Sequence, residues 1–162
     1  MKSSNSTRKL ALAVVGGMFS IPIGAAKCSP VQHMVNVLAA VLLGPWYAVG
    51  SAFVTSLIRN LIGTGSLLAF PGSMVGALLA GLLYQRIQRL PAAFVGEVCG
   101  TGILGAMLSY PIAVLLMGKT SALFAFVPSF LLNTVAGSIV AVLVICALER
   151  TSVLKTLRVS LR

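Results

Sequence analysis

Residues 28–45 read C-S-P-V-Q-H-M-V-N-V-L-A-A-V-L-L-G-P, and this stretch guides the interpretation of the rest of the chain. Its Ser-Pro pair is typical of a helix start, and its Gly-Pro pair predicts a helix end followed by a new helix. Gln32, His33 and Asn36 share one helical face near the start. Residues 37–43 are apolar without a break. The stretch therefore predicts a short apolar helix with a polar cluster at one end.

The composition indicates an integral membrane protein. Of 162 residues, 58% are hydrophobic and only 9% are charged, whereas soluble domains carry about 25% charged residues. The mean hydropathy of +1.04 agrees. The length suits one compact helical bundle without a separate catalytic domain. The net charge of +10 does not indicate nucleic-acid binding, because the basic residues are spread between apolar stretches.

Hydropathy divides the chain into six apolar segments within a single transmembrane domain, residues 1–162. We predict helices over residues 10–26, 30–43, 45–62, 72–86, 92–117 and 121–149. If the helices alternate in direction, nine of the twelve Lys and Arg residues lie on the side of the two termini and the remaining three on the other. The positive-inside rule then places both termini in the cytoplasm. The predicted fold class is an all-α integral membrane protein with six transmembrane helices.

Small residues and glycines suggest where helices pack. Ser73, Ala77 and Gly81 are spaced four residues apart, which suits close helix contact. The Gly-x-Gly-x-x-Gly pattern over residues 100–105 matches a dinucleotide fingerprint, but it follows no strand and lies in an apolar helix, so packing is the better interpretation. Residues 63–73 predict a loop that is too apolar to lie freely in water and that packs as a lid over another part of the protein.

The alternating topology brings polar and aromatic side chains together in the outer half of the bundle. Such a set has the composition of a small-molecule pocket, which is mostly apolar with a few oriented polar groups. The alternative is that each polar residue only satisfies a hydrogen bond between helices. The candidate substrate-binding residues are Gln32, His33, Asn36, Asn60, Phe70, Ser73, Tyr110 and Asn133.

The residue types in this set favour a neutral, heteroaromatic ligand that bears a hydroxyl group, with aromatic side chains available to stack on it. There is no acidic pair, so a metal ion is not expected. We predict no metal and no cofactor, and we assign His33 the role of a hydrogen-bonding group.

Glu97 is one of only two acidic residues in the chain. A carboxylate in a membrane segment is a candidate functional group. Glu97 also lies close to the predicted cytoplasmic interface, where Arg86 or Arg89 would be a structural partner. Both interpretations stay open. Arg59, at the end of the third predicted helix, is expected to bind terminal carbonyls or to extend to the interface.

No catalytic motif is apparent. The chain has no Ser-His-Asp set, HExxH motif, paired carboxylates or Walker A motif. We therefore predict that it is not an enzyme. A substrate-binding membrane subunit that takes its energy from partner proteins is consistent with these absences.

Four short motifs carry a resemblance to a known family. They are residues 28–37 (C-S-P-V-Q-H-M-V-N-V), 43–45 (L-G-P), 59–60 with 63–65 (R-N and G-T-G), and 69–73 (A-F-P-G-S). The chain resembles the substrate-binding S-components of energy-coupling factor (ECF) vitamin transporters. Within that group it is similar to the ThiW family, associated with the hydroxyethylthiazole precursor of thiamine. The second half matches mainly by length and hydropathy.

The resemblance implies a multi-pass protein of a prokaryotic cell membrane, with a substrate pocket near the outer face. It implies a transmembrane coupling subunit that docks on small residues of the first helix, here Ala13 and Gly17, and two ATPase subunits that power uptake. Related families often show Ala where this chain has Gly17.

Three alternatives stay open at this stage. The first is a stand-alone proton-coupled transporter that uses Glu97. The second is an S-component for a different vitamin, and the third is a membrane-embedded assembly protein. Binding and uptake measurements distinguish among them.

Overall fold

The computed structural model describes residues 21–23, 26–28, 30–118, 120 and 122–150. In this part of the chain five helices follow a short hairpin. The hairpin pairs β1 (Ile21–Ile23) with β2 (Ala26–Cys28) in antiparallel register. The helices are α1 (Pro30–Leu43), α2 (Pro45–Leu61), α3 (Ala69–Ile87), α4 (Leu90–Leu116) and α5 (Val127–Arg150). Within α4, residues Gly100–Gly105 and Ile112–Leu116 are π-helical.

The prediction of a helix over residues 10–26 is wrong at its C-terminal end. Residues Ile21–Ile23 and Ala26–Cys28 are strands instead. Pro22 has no amide hydrogen for a helix, and the isoleucines on either side of it favour extended backbone. The earlier part of that predicted helix, with Ala13 and Gly17, lies outside the described residues.

Proline accounts for three helix starts that differ from the prediction. α3 begins at Ala69 rather than at 72, α4 at Leu90 rather than at 92, and α5 at Val127 rather than at 121. Each has a proline within its first three positions, where a backbone N–H has no acceptor in the helix. The predicted lid is therefore shorter, and Phe70 and Ser73 belong to the first turns of α3.

The bundle has small side chains inside and large apolar side chains outside. One core cluster consists of alanines alone, six of them contributed by α1, α2 and α3. In contrast Leu115, Leu132 and Leu143 are 79%, 73% and 63% exposed. Exposed leucines are favourable only in apolar surroundings. α4 and α5 are long and apolar enough to cross a membrane. This arrangement is that of a membrane protein.

Glycines allow α3 and α4 to touch along their backbones. A Cβ on Gly105 would lie 2.5 Å from the Cα of Gly72, and one on Gly100 would lie 2.6 Å from the Cα of Gly76. The two helices therefore run antiparallel and closer together than any larger residue would permit. The packing interpretation of the glycine pattern at 100–105 is confirmed.

A second face of α3 packs against α2. A Cβ on Gly81 would lie 2.5 Å from the Cα of Pro45, and Ser73 and Ala77 are buried on the same side. α3 is therefore enclosed by α2 on one side and α4 on the other, and Ser73 has little access to the surroundings.

We expect Gly105→Val to destabilise the bundle. The new side chain has to displace the backbone of Gly72, and overpacking of this kind costs about 1–3 kcal/mol. The control is Ala136→Val, which adds the same side chain at an exposed position of α5 and should change the free energy of unfolding by less than about 0.5 kcal/mol. Denaturant unfolding in detergent micelles measures both. Equal stability of the two variants would contradict the close contact.

Candidate functional site

The carboxyl group of Glu97 is the centre of a buried polar cluster. Glu97 is completely buried, and its Oε1 lies 2.9 Å from His33 Nδ1, 3.1 Å from Asn36 Nδ2 and 3.0 Å from Thr101 Oγ1. The Asn36 amide donates to this oxygen, and the Thr101 hydroxyl donates its one hydrogen either to this oxygen or to a backbone carbonyl of α3 that lies 3.1 Å away. We call these four residues the Glu97 cluster.

Helical spacing explains how the Glu97 cluster is assembled. His33 and Asn36 are three residues apart on α1, and Glu97 and Thr101 are four apart on α4, so each pair shares a helix face. Gly76 of α3 leaves the space for them. A Cβ at Gly76 would collide with Thr101 Oγ1 and would lie 2.8 Å from Glu97 Oε2. The cluster therefore depends on three helices.

A second group of polar side chains lies beside the first. Gln32 Nε2 donates to Ser56 Oγ over 3.1 Å, and the hydroxyls of Ser56 and Ser73 lie 3.0 Å apart. Arg59 donates from Nη1 to Gln32 Oε1 and from Nη2 to the carbonyl of Thr64 over 3.2 Å. We call Gln32, Ser56, Arg59 and Ser73 the Gln32 cluster; all four are buried.

The two clusters meet at Ser73. Asn36 Nδ2 donates to the backbone carbonyl of Ser73 over 3.3 Å, while the hydroxyl of Ser73 donates to the carbonyl of Ala69 over 2.7 Å. One continuous polar network therefore runs from Arg59, near the loop after α2, to Glu97 inside the bundle.

The structure brings together four of the eight predicted substrate-binding residues. Gln32, His33, Asn36 and Ser73 belong to the network. Asn60 instead stabilises the loop before α3, since its Nδ2 donates to the carbonyls of Ser56 and Ser66 over 2.8 and 3.0 Å.

Three further predicted residues lie apart from this network. The Phe70 ring packs against Phe53 with centroids 5.6 Å apart. Asn133 donates to the carbonyl of Ser129 in its own helix over 2.8 Å. Tyr110 is half-buried on α4. Whether any of the eight contacts a ligand stays a prediction.

The prediction of Arg86 or Arg89 as the partner of Glu97 is wrong. Both arginines are exposed at the end of α3 and in the loop after it, and among the described residues the ionisable side chain that contacts the carboxyl is that of His33. The two residues are 64 positions apart, so no local pattern indicates the pair. Arg59 does bind a carbonyl just beyond its helix, as expected, and in addition binds Gln32.

Four residues of the network were not among the predicted substrate-binding residues: Ser56, Arg59, Glu97 and Thr101. The spacing of Glu97 and Thr101 is the one local signal for such a site, because a buried Thr four residues after a Glu can hydrogen-bond its carboxyl.

The network offers both hydrogen-bond donors and acceptors to a bound molecule. Some of its buried atoms have no hydrogen-bond partner among the described residues, including Glu97 Oε2 and Arg59 Nε. No group of three metal-ligating side chains occurs in the described part of the chain. Such an arrangement is suited to holding a small polar or aromatic molecule by hydrogen bonds.

Comparison with protein families gives one match. The model of the family described as "Thiamine-precursor transporter protein (ThiW)" matches residues 9–151. The match includes both halves of the chain, whereas the motifs that carry the resemblance lie in the first half. Comparison with curated proteins gives no match.

Two threonine variants test the hydrogen bonds of the network. Thr101→Val keeps the shape of the side chain but removes a hydroxyl that lies within hydrogen-bonding distance of Glu97 and of the Gly72 carbonyl on α3. We expect a loss of about 0.6–1.7 kcal/mol in stability, the range of interhelical hydrogen bonds in membranes. Thr55→Val is the control, because the Thr55 hydroxyl is buried without a partner among the described residues and its removal should be neutral or stabilising. Unfolding of both variants in detergent gives the comparison. A Thr55→Val protein less stable than Thr101→Val would contradict the assignment.

Proposed function

The chain belongs to the ThiW family of thiamine-precursor transporter proteins, and on that premise we propose that it is the substrate-binding membrane subunit of an ECF-type importer. The observation that carries the proposal is the continuous buried polar network inside an otherwise apolar helical bundle. Polar side chains are costly to bury in a membrane protein, and they commonly mark the path or site of a substrate.

We propose hydroxyethylthiazole as the substrate, captured at the outer face. This molecule has a hydroxyl group and a ring nitrogen, so it needs both a donor and an acceptor from the protein. Gln32, His33 and Asn36 on one face of α1 supply both. Phe70, which packs against Phe53 outside the network, is the proposed stacking surface for the thiazole ring.

The proposed energy source is a partner complex. The sequence has no nucleotide-binding motif of its own, so uptake is assigned to a transmembrane coupling subunit with two ATPase subunits. The proposed docking residues are Ala13 and Gly17, since small residues four apart let another helix approach closely. The assembly lies in a prokaryotic cell membrane as a multi-pass protein with both termini in the cytoplasm.

The second candidate function is stand-alone proton-coupled transport. The observation that favours it is the buried contact between His33 and Glu97, because paired titratable groups inside a membrane are the usual elements of a proton relay. Uptake into liposomes without partner subunits, abolished by Glu97→Gln, would favour this function over the first.

We expect purified protein to bind hydroxyethylthiazole, and both His33→Ala and Asn36→Ala to weaken that binding at least about tenfold, since each removes a hydrogen-bonding group worth roughly 1.4 kcal/mol. The control is Gln85→Ala, an exposed polar residue of α3, which should leave the affinity unchanged. Isothermal titration calorimetry measures all four proteins.

The ligand specificity is tested in the same titrations. Binding of thiamine or biotin in place of the thiazole would assign the chain to another vitamin. Absence of binding to every small ligand, with a partner protein still co-purifying, would indicate an assembly protein.

Gly17→Leu tests the proposed docking face. We expect it to reduce co-purification with the coupling subunit, because a large side chain prevents close helix approach, while hydroxyethylthiazole binding to the isolated subunit is retained. Lys155→Leu, a change in the C-terminal segment, is the control. Undiminished co-purification of the Gly17→Leu protein would exclude this residue from the docking face.

A further inference from the structure

We propose that Glu97 orients His33 so that the imidazole selects ligands that carry a hydroxyl group. Glu97 is then a positioning residue. Glu97 holds the imidazole with its hydrogen on Nδ1, so that Nε2 remains as a hydrogen-bond acceptor. The inference rests on the proposed function, because it concerns how that same site chooses among thiazole-like molecules.

The orientation of the Asn36 amide is set by a backbone carbonyl. Its Nδ2 lies 3.3 Å from the backbone carbonyl of Ser73, a group that can only accept. The same nitrogen lies 3.1 Å from Glu97 Oε1. The Ser73 carbonyl fixes the NH2 group of the amide on this side and accepts one of its hydrogens. Oε1 accepts the other hydrogen.

The tautomer of His33 follows from this oxygen. Nδ1 lies 2.9 Å from Glu97 Oε1, and the oxygen of an ionised carboxylate can only accept. Nδ1 therefore carries the hydrogen and donates it. The hydrogen bond at one ring nitrogen sets the role of the other, so in the neutral ring Nε2 carries a lone pair.

The position of the carboxyl group is fixed by its surroundings. Thr101 Oγ1 lies 3.0 Å from Oε1, and Oε2 occupies the space beside Gly76. Glu97 itself is completely buried. The hydrogen bonds to Oε1 hold the carboxyl group with this oxygen directed at α1.

Nε2 is the ring nitrogen left for a ligand. No described residue forms a hydrogen bond with Nε2, and the side chain of His33 is 11% exposed whereas that of Glu97 is not exposed at all. The backbone of α5 packs against the base of this side chain, because a Cβ on Gly137 would lie 2.8 Å from His33 Cβ. Nε2 is therefore the atom of this pair that meets a bound molecule.

An acceptor in this position recognises a hydroxyl or an N–H group. A buried site built to bond a hydroxyl discriminates against an analogue that lacks it, because the acceptor is then left without a partner. Hydroxyethylthiazole has such a hydroxyl, and 5-ethyl-4-methylthiazole is the same molecule with hydrogen in its place.

The first test reads the tautomer directly. His33 is the only histidine in the chain, so ¹⁵N-histidine labelling of the full-length protein gives the signals of one ring. We expect Nδ1 to be protonated and Nε2 to be of the unprotonated, pyridine type, with the Nε2 signal shifting when hydroxyethylthiazole is added. A hydrogen on Nε2 in the ligand-free protein, with or without one on Nδ1, would overturn the proposal.

The second test measures selectivity, as the ratio of the affinities for hydroxyethylthiazole and 5-ethyl-4-methylthiazole. The wild type should favour the hydroxyl compound at least about tenfold. Glu97→Leu should bring the ratio close to one. Glu97→Gln should retain most of it, because the amide oxygen still accepts from Nδ1. Glu149→Leu, which removes the other acidic residue at an exposed site, is the control.

The outcomes separate the two proposals. A wild-type protein that binds neither compound contradicts the proposed function and this inference together. A protein that binds hydroxyethylthiazole with the same ratio in wild type and Glu97→Leu contradicts this inference alone and leaves Glu97 a structural residue. If Glu97→Leu does not fold, the proposal is tested by the wild-type protein alone, through its affinity ratio and the tautomer of His33. A wild-type affinity ratio near one overturns the proposal.

Discussion

The enclosure of one carboxyl group constrains the whole bundle. A buried carboxylate without partners is strongly unfavourable, and its cost falls only when hydrogen-bond donors are supplied at close range. For Glu97 they come from α1 and from α4 itself. The helices therefore have to meet in one register, because a slip by a single residue would leave the carboxyl group without its donors. The buried polar network specifies the arrangement that the apolar surfaces alone would leave loosely defined.

Packing by small residues makes this enclosure possible. α3 lies between α2 and α4, with alanines and glycines directed to both. In a membrane the apolar side chains gain nothing by leaving the lipid, so close contact and internal hydrogen bonds hold the helices together. The same geometry explains why the large leucines of α4 and α5 face outward.

Much of the local structure was readable from the sequence. The Ser-Pro and Gly-Pro pairs indicated a helix over residues 30–43, where the structure has Pro30–Leu43. The prediction that Gln32, His33 and Asn36 share a helix face also agrees with their common network. The starts of α3 and α4 were misjudged, because proline was taken as a break where it occupies the first turn.

The hydrogen-bond partners of these residues could not be predicted from the sequence. Helical periodicity shows which residues share a face, but not which face of another helix they meet. His33 and Glu97 illustrate this, since they lie 64 positions apart. The π-helical segments of α4 add a second obstacle. An extra residue in a turn shifts the side chains that follow away from the 3.6-residue pattern, and Tyr110 follows the first of these segments.

The contact between Gly76 and Thr101 links two positions that a sequence comparison would treat as separate. Because a methyl group at 76 would occupy the space of the Thr101 hydroxyl, the residue allowed at either position depends on the residue at the other. A chain of this fold with alanine at 76 would need a side chain smaller than threonine at 101 to keep the same helix spacing. The two positions should therefore covary, and an exchange at one is tolerated only together with a compensating exchange at the other.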